Sequence, residues 1–155
     1  MPASLTRPIL QATLVAGVLD ILAAIILSLI FGNGPAAMLR GVASGPFPGA
    51  SDWGAAGSAL GLAVHFAIMA VMAAVYVAAA ERIAALREKP LLWGTLYGLA
   101  TYVVMNLIVL PLRFEGAFPP SLRGVITQIF CHVVLVGIPI ALIAARHLRR
   151  RILPA

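Results

Sequence analysis

Charge is scarce in this chain, and this scarcity indicates its class. Only 10% of its 155 residues are Asp, Glu, Lys or Arg, whereas soluble domains carry about 25%. Hydrophobic residues make up 62% of the chain, and the mean hydropathy is +1.04. A soluble domain of this size could not enclose so many apolar side chains. The composition therefore excludes an ordinary soluble domain and predicts one integral membrane domain over residues 1–155.

The chain also lacks the side-chain patterns that covalent chemistry and nucleic-acid binding need. Its lone cysteine, Cys131, excludes an intrachain disulfide. It contains no Ser-His-Asp or Cys-His arrangement, phosphate-binding loop or dinucleotide fingerprint. The net charge of +6 does not indicate a nucleic-acid partner, because the basic residues flank apolar runs instead of forming one face. These absences favour a non-catalytic membrane protein whose basic residues face anionic lipid head groups.

Four apolar runs are long enough to cross a bilayer, and they cover residues 9–31, 55–80, 91–112 and 125–145. A helix rises about 1.5 Å per residue, so each run spans a hydrocarbon core of about 30 Å. The first run exceeds the ~7–15 apolar residues of a cleavable signal, so we expect it to remain as a span. Strands with open edges would leave backbone groups unpaired in lipid. The sequence therefore predicts an all-α fold, a four-helix bundle within the membrane.

The distribution of Lys and Arg predicts the orientation of this bundle. With the N-terminus in the cytoplasm, eight of these residues lie on the inner side and three on the outer side. The eight are Arg7, Arg82, Arg87, Lys89, Arg146, Arg149, Arg150 and Arg151, and the three are Arg40, Arg113 and Arg123. Cytoplasmic loops carry the excess of positive residues in multi-pass proteins. We therefore expect a multi-pass membrane protein with both termini in the cytoplasm.

The connections between the runs differ in length and character. The longest, residues 32–54, has Pro35 at a possible helix start and Gly45-Pro46 as a stop. Apolar residues at helical spacing between them predict a short amphipathic helix at the outer interface. A binding lid is the functional alternative for this connection. The charged connection ERIAALREKP is expected to prolong the second helix by a turn or two.

Each apolar run carries one strongly polar residue, and the four lie at a similar depth. Counting about 1.5 Å per residue from the cytoplasmic end of each run places all four roughly 20–25 Å from that end. Small and polar residues recur beside them at helical spacing, so these faces should point into the bundle. We therefore predict one polar layer in the outer half of the bundle, formed by Asp20, His65, Asn106, His132, Gln128 and Tyr102.

This polar layer has one structural and three functional interpretations. In the structural one, Asp20 accepts hydrogen bonds from a histidine or from Asn106, and the layer fixes how the helices pack without a cofactor. A proton or ion path through Asp20 and a histidine is an alternative, although no second polar layer continues toward the cytoplasm. A transition metal held by His65, His132 and Asp20 is another. A b-type haem with both histidines as axial ligands is the third, and the structural interpretation is favoured.

Two local features refine the prediction. Pro139 lacks a backbone N–H and should bend the fourth helix just below the polar layer. Gly57, Gly61 and His65 recur every four residues and form an edge that permits close approach of another helix. Since the first two runs are joined in sequence, Asp20 is the expected contact of His65.

Three segments carry a resemblance to known proteins. They are LRGVASGPFPGA, LGLAVHF and YGLATYVVMNLIVLPL. Together they resemble a group of small four-helix bacterial inner-membrane proteins, loosely the YagU-like type. The resemblance implies the same architecture and a location in the bacterial inner membrane, and it assigns no role to His65 or Asn106. The small-residue edges, in a chain with 14 glycines, separately lead us to expect a homo-oligomer or a subunit of a larger membrane complex.

Overall fold

The computed structural model describes residues 5–116 and 119–149, which form a helical bundle without a strand in these ranges. The four long helices are α1 (Thr6–Ile30), α3 (Gly54–Arg82), α5 (Pro90–Arg113) and α6 (Leu122–Arg149). Two short helices, α2 (Pro35–Ser44) and α4 (Ala84–Glu88), and a 3₁₀ turn (Pro48–Asp52) lie in the connections. All four long helices are long and apolar enough to cross a membrane. The all-α prediction is therefore confirmed, and a multi-pass membrane protein is compatible with the fold.

Each long helix begins before its predicted apolar run, and three of the four end after it. They begin at Thr6, Gly54, Pro90 and Leu122, ahead of the predicted starts at residues 9, 55, 91 and 125. The last helix continues to Arg149, past the predicted end at 145. Hydropathy marks the part of a helix that suits lipid, whereas backbone hydrogen bonds continue into more polar sequence. Arg150 and Arg151, two of the predicted cytoplasmic residues, lie outside the described ranges.

The connection after the second long helix folds back instead of prolonging it. Ile83 is extended, with φ −109° and ψ 104°, and separates α3 from the short helix α4. The Arg87 guanidinium donates to the carbonyls of Ala80 and Glu81 at 2.8 and 3.0 Å. These bonds satisfy carbonyls that the end of a helix leaves unpaired. The expected extension of α3 therefore stops at Arg82, because the Arg87 guanidinium caps the helix there.

The main buried core lies at the end of the bundle that carries Arg82, Arg87, Lys89, Arg146 and Arg149, here called the basic end. Small side chains dominate it, and the fully buried alanines are Ala12, Ala16, Ala73, Ala80, Ala141 and Ala144. Lipid tails are as apolar as leucine, so helices in a membrane associate through close van der Waals contact rather than the hydrophobic effect. Alanine permits that contact by letting the helix backbones approach each other.

The last helix, α6, is central to the bundle. It packs against α1, α3 and α5, whereas α5 packs chiefly against α6. At the crossing of α5 and α6, Gly137 stands against the backbone of Gly94 and Gly98. Because a side chain at position 137 would fill that space, only glycine at this position lets α5 and α6 approach so closely.

The predicted short helix in the first long connection is present as α2, and it docks on α3. The Leu39 carbonyl of α2 lies where a Cβ of Gly61 would stand, and the Ala50 carbonyl does the same at Gly57. These glycines do permit a close approach to α3. The approaching segments, however, are α2 at Gly61 and the 3₁₀ turn at Gly57, and not another span. The position of α2 at a membrane interface stays a prediction.

Arg113, at the end of α5, holds the far end of α2. Its Nε and Nη2 donate to the carbonyls of Gly45 and Ser44 at 2.6 and 2.7 Å. A cation at a helix C-terminus also interacts favourably with the helix dipole. One of the three predicted outer basic residues is therefore engaged within the fold.

Candidate intramembrane polar site

The predicted polar residues form two pairs instead of one cluster. Asp20 and His65 meet between α1 and α3, whereas Asn106 and His132 meet between α5 and α6. Within residues 5–116 and 119–149, no hydrogen bond or ion pair joins the first pair to the second. Polar residues at a similar depth therefore contact each other only where their helices are neighbours, which gives two separate pairs.

The first pair is centred on His65, which is only 9% exposed. Its Nε2 lies 3.0 Å from the Gly17 carbonyl oxygen on α1. A carbonyl can only accept a hydrogen bond, so Nε2 carries the hydrogen. The other ring nitrogen, Nδ1, faces Asp20 Oδ2 at 3.9 Å. His65 therefore connects α3 to α1 through both of its nitrogens.

One proton determines whether Asp20 and His65 attract each other. With hydrogen on Nε2, a neutral imidazole presents a lone pair at Nδ1, and an ionised carboxylate would be repelled by it. The contact is attractive when a second hydrogen is carried either by Nδ1 or by the carboxyl group. At 3.9 Å the two groups lie beyond hydrogen-bond distance, and the Asp20 side chain is 22% exposed.

Gly17 makes the contact between α1 and α3 possible. A Cβ at this position would collide with the Phe66 ring. That ring stands edge-on to His65, with 5.3 Å between the two ring centroids. Because residue 17 has no side chain, α3 can approach closely enough for the His65 ring to reach a backbone carbonyl of α1.

The second pair belongs to a chain of hydrogen bonds between α5 and α6. The Asn106 amide nitrogen lies 3.2 Å from Nε2 of His132, and Nδ1 of His132 lies 3.1 Å from Oγ1 of Thr101. The Thr101 hydroxyl donates to the Gly98 carbonyl at 2.9 Å. This pattern assigns the imidazole hydrogen to Nδ1, leaving Nε2 to accept from Asn106. Thr101 was absent from the prediction, because a single threonine in an apolar run carries no distinguishing signal.

The remaining two predicted residues differ in their surroundings. Tyr102 is buried, and its ring lies edge-on to His132 with 6.1 Å between the centroids. Gln128 is exposed and is not brought into either pair. The segment of α6 that contains it, Leu122–Phe130, has no buried residue. Helical spacing aligned Gln128 with His132, but the neighbouring helices do not cover this part of α6.

Both residues of the second pair lie in π-helical segments. These segments are Val103–Val109 in α5 and Cys131–Gly137 in α6. Each ends two residues before a proline, Pro111 in α5 and Pro139 in α6. Proline has no N–H to donate to the carbonyl four residues before it, and its ring crowds that carbonyl. A π-helical turn is wider, so a carbonyl there can accept from the N–H five residues later instead. The response to Pro139 is therefore a π-helical turn through His132, and Pro111 has the same effect near Asn106.

The chain has no match among family models, curated proteins or solved structures. The resemblance to YagU-like proteins therefore stays a prediction, and the geometry of the two polar pairs has to support any functional proposal.

The predicted metal and haem ligands are separated in this arrangement. In the described part of the chain, no group of three or more His, Cys, Asp or Glu side chains could hold one metal ion. His65 and His132 belong to different pairs, and both nitrogens of His132 already have partners. A haem iron between the two histidines would have to displace the bonds to Gly17 and Asn106. Neither ligand set is thus assembled, and both alternatives stay predictions.

Thr13 extends the polar face of α1 toward the basic end. Its hydroxyl is the one buried side-chain polar atom among the described residues with no hydrogen-bond partner. Thr13 lies seven residues before Asp20, or about 10 Å along the helix. That distance is too long for a direct hydrogen bond, so Thr13 does not make the first pair into a continuous polar path.

Proposed function

We propose that this protein is a non-catalytic component of the bacterial inner membrane in which intramembrane polar pairs specify the packing of the four spans. The observation that carries this proposal is where the polar side chains find their partners. Each pair joins two different helices, and its other bonds end on backbone carbonyls or on a neighbouring hydroxyl. This arrangement suits a role in specifying helix partners, since it leaves no shared reaction centre.

A third polar contact supports the same role at the basic end. The Tyr97 hydroxyl of α5 donates to the Met72 carbonyl of α3 at 2.8 Å, and its ring stands 5.0 Å from that of Tyr76. Interhelical hydrogen bonds in membranes average only about 0.6 kcal/mol. Such contacts therefore select which helices pair more than they stabilise the bundle.

A double-mutant cycle on the first pair tests this proposal. We expect His65→Leu to destabilise the fold, because it leaves the Asp20 carboxyl without its partner. The double variant with Asp20→Leu should lose less than the sum of the single changes, with a coupling of about 0.6–1.7 kcal/mol. Unfolding in mixed micelles, followed by circular dichroism, measures each free energy. His65→Leu combined with Asn106→Leu is the control and should be additive, because these residues share no contact.

Additive effects of His65→Leu and Asp20→Leu would contradict a packing role for the pair. The same purified protein separates the competing functions. A Soret band or stoichiometric metal that disappears in His65→Leu would favour a haem- or metal-binding redox subunit. A proton flux in liposomes that Asp20→Leu abolishes would favour a small proton- or solute-conducting transporter.

The proposed orientation places both termini and the basic end in the cytoplasm. It is supported by the excess of Lys and Arg in the predicted inner segments. We expect a cysteine introduced at Arg146 to resist a membrane-impermeant maleimide in intact cells and to react after lysis. A cysteine at Ser51 should react in intact cells, and Cys131→Ser removes the background thiol. Labelling of the Arg146 position from outside would reverse the topology.

Association with a second copy or with another membrane subunit completes the proposal. It is supported by α5, which is the least buried of the four long helices. Its outward residues are large and apolar, among them Leu92, Leu96, Leu99 and Val103. In a membrane such a face can contact either acyl chains or another helix. The mass of the purified complex distinguishes the two, because only contact with another helix adds a protein copy or a second subunit.

A further inference from the structure

A groove opens sideways between α1 and α6, in the half of the bundle that carries α2. It encloses about 360 Å³. Ala23 and Leu27 of α1 face Thr127, Phe130 and Cys131 of α6 across it. The Thr127 hydroxyl bonds to carbonyls of its own helix at 3.0 Å. The walls are therefore almost wholly apolar, although one of them contains a threonine.

A cation lies at the end of this groove. The Arg123 guanidinium carbon is 4.5 Å from the centroid of the Phe31 ring. Phe31 follows Leu27 by four residues, and Arg123 precedes Thr127 by four, so the contact lies one turn beyond the groove walls. It therefore joins α1 to α6 at the mouth of the groove.

The guanidinium of Arg123 remains available to a ligand. Its side chain is exposed, and no carboxylate or carbonyl within the described ranges accepts a hydrogen bond from it. Arg113, at the same end of the bundle, instead donates to two carbonyls at the end of α2. Arg123 also lies in the first turn of α6, where the helix dipole favours an anion.

We propose that the groove binds one acyl chain of a phospholipid and that Arg123 binds the phosphate of the same molecule. A guanidinium presents paired donors to phosphate oxygens, and an apolar groove ending in a basic residue matches a hydrocarbon chain attached to an anionic head group. The inference is independent of the proposed packing role, because none of the residues of the two polar pairs lines this groove.

The width of the groove selects an acyl chain over a protein helix. Its lining residues span about one and a half turns at most, residues 23–27 of α1 and 126–131 of α6, or about 6–8 Å along the helix axes. A volume of about 360 Å³ over that length corresponds to a groove about 7–8 Å across, whereas a helix with its side chains is about 10–12 Å wide. A second copy of the chain would thus cover the opening without entering it, but a single hydrocarbon chain can enter.

The head group should be anionic and without an amine. Within the described residues Arg123 forms no ion pair with an Asp or Glu, so its guanidinium attracts the phosphate of a lipid and repels an ammonium group. Phosphatidylglycerol is accordingly the expected ligand, in preference to phosphatidylethanolamine with the same chains. One arginine near a lipid surface supports a preference of about fivefold.

Native mass spectrometry of the delipidated full-length protein tests the proposal with these two lipids. We expect one phosphatidylglycerol per chain, bound about fivefold more tightly than phosphatidylethanolamine. Arg123→Gln should remove that preference while leaving the weaker binding of both lipids. Ala23→Phe should fill the groove and weaken both. Arg40→Gln, a charge change at the same end, and Ala67→Phe, on the exposed face of α3, are the matched controls and should bind as the wild type does.

Equal binding of the two lipids by the wild type would contradict the proposal, as would a preference that survives Arg123→Gln. Unchanged binding by a folded Ala23→Phe variant would exclude this groove as the acyl site. If Ala23→Phe prevents folding, Ala23→Val narrows the groove with the same expected direction. A change in the number of protein copies without a change in bound lipid would assign the groove to a contact between copies, which also overturns the proposal.

Discussion

Gly137→Ala is expected to destabilise the bundle, although alanine is ordinarily the better helix former by about 1 kcal/mol. A Cβ at this position of α6 would meet the carbonyl oxygen of Gly94 and, at 2.7 and 2.8 Å, the nitrogen and Cα of Gly98 on α5. Backbone atoms cannot rotate away as a flexible side chain can, so the two helices must separate. The cost should reach or exceed the ~1–3 kcal/mol typical of overpacking.

Unfolding in mixed micelles, followed by the fluorescence of Trp93 on α5, measures this effect, since Trp93 packs against the core. Trp53→Phe removes the other tryptophan. Gly41→Ala is the matched control, because Gly41 lies within α2 with no atom close to the position of its Cβ. That change should leave stability unchanged or raise it by up to about 1 kcal/mol. Equal responses of the two glycines would show that α5 and α6 do not cross at Gly137.

Gly61→Ala is expected to release α2 from α3, because the Leu39 carbonyl of α2 occupies the position of the new Cβ. A thiol at Ala43, which is fully buried on α2, reports the release in a protein with Cys131→Ser. We expect the Ala43→Cys thiol to be protected from maleimide in the parent protein. In Gly61→Ala it should react nearly as fast as an exposed thiol at Ala37.

Ala59→Leu controls for a larger side chain on the same helix, since Ala59 lies on the exposed face of α3. It should leave the Ala43→Cys thiol protected. Protection that persists in Gly61→Ala would mean that α2 is held mainly at its far end, through the bonds that Arg113 makes to Ser44 and Gly45. Arg113→Gln would then be the change that releases α2.

The helices themselves could be predicted from the sequence. An apolar run of membrane-spanning length can satisfy its backbone in lipid only as a helix, so hydropathy located all four long helices. Pro35 and the Gly45-Pro46 pair likewise located α2, because proline suits the first turn of a helix and cannot continue a helix that precedes it. Both predictions depend on local rules that hold whatever packs against the segment.

The composition of the polar site could be predicted only in part. Depth along a helix can be counted, which explains why Asp20 meets His65 and Asn106 meets His132. Which helices become neighbours cannot be counted, since it depends on how closely two backbones approach. Gly17 lets α3 pack closely against α1, and Gly137 lets α5 pack closely against α6, because neither residue has a Cβ. The predicted layer is therefore divided into two pairs, and Gln128 is left exposed in a segment of α6 that has no buried residue.

The chain by itself determined that its polar and basic residues would be few, isolated and placed at the ends or middle of apolar helices. It did not determine their partners. Arg113 and Arg123 have the same side chain and lie on either side of one connection, yet Arg113 binds the carbonyls at the end of α2 and Arg123 lies over Phe31. Only the tertiary structure decided that difference, because a guanidinium binds whichever acceptor or ring the packing of other helices places within its reach.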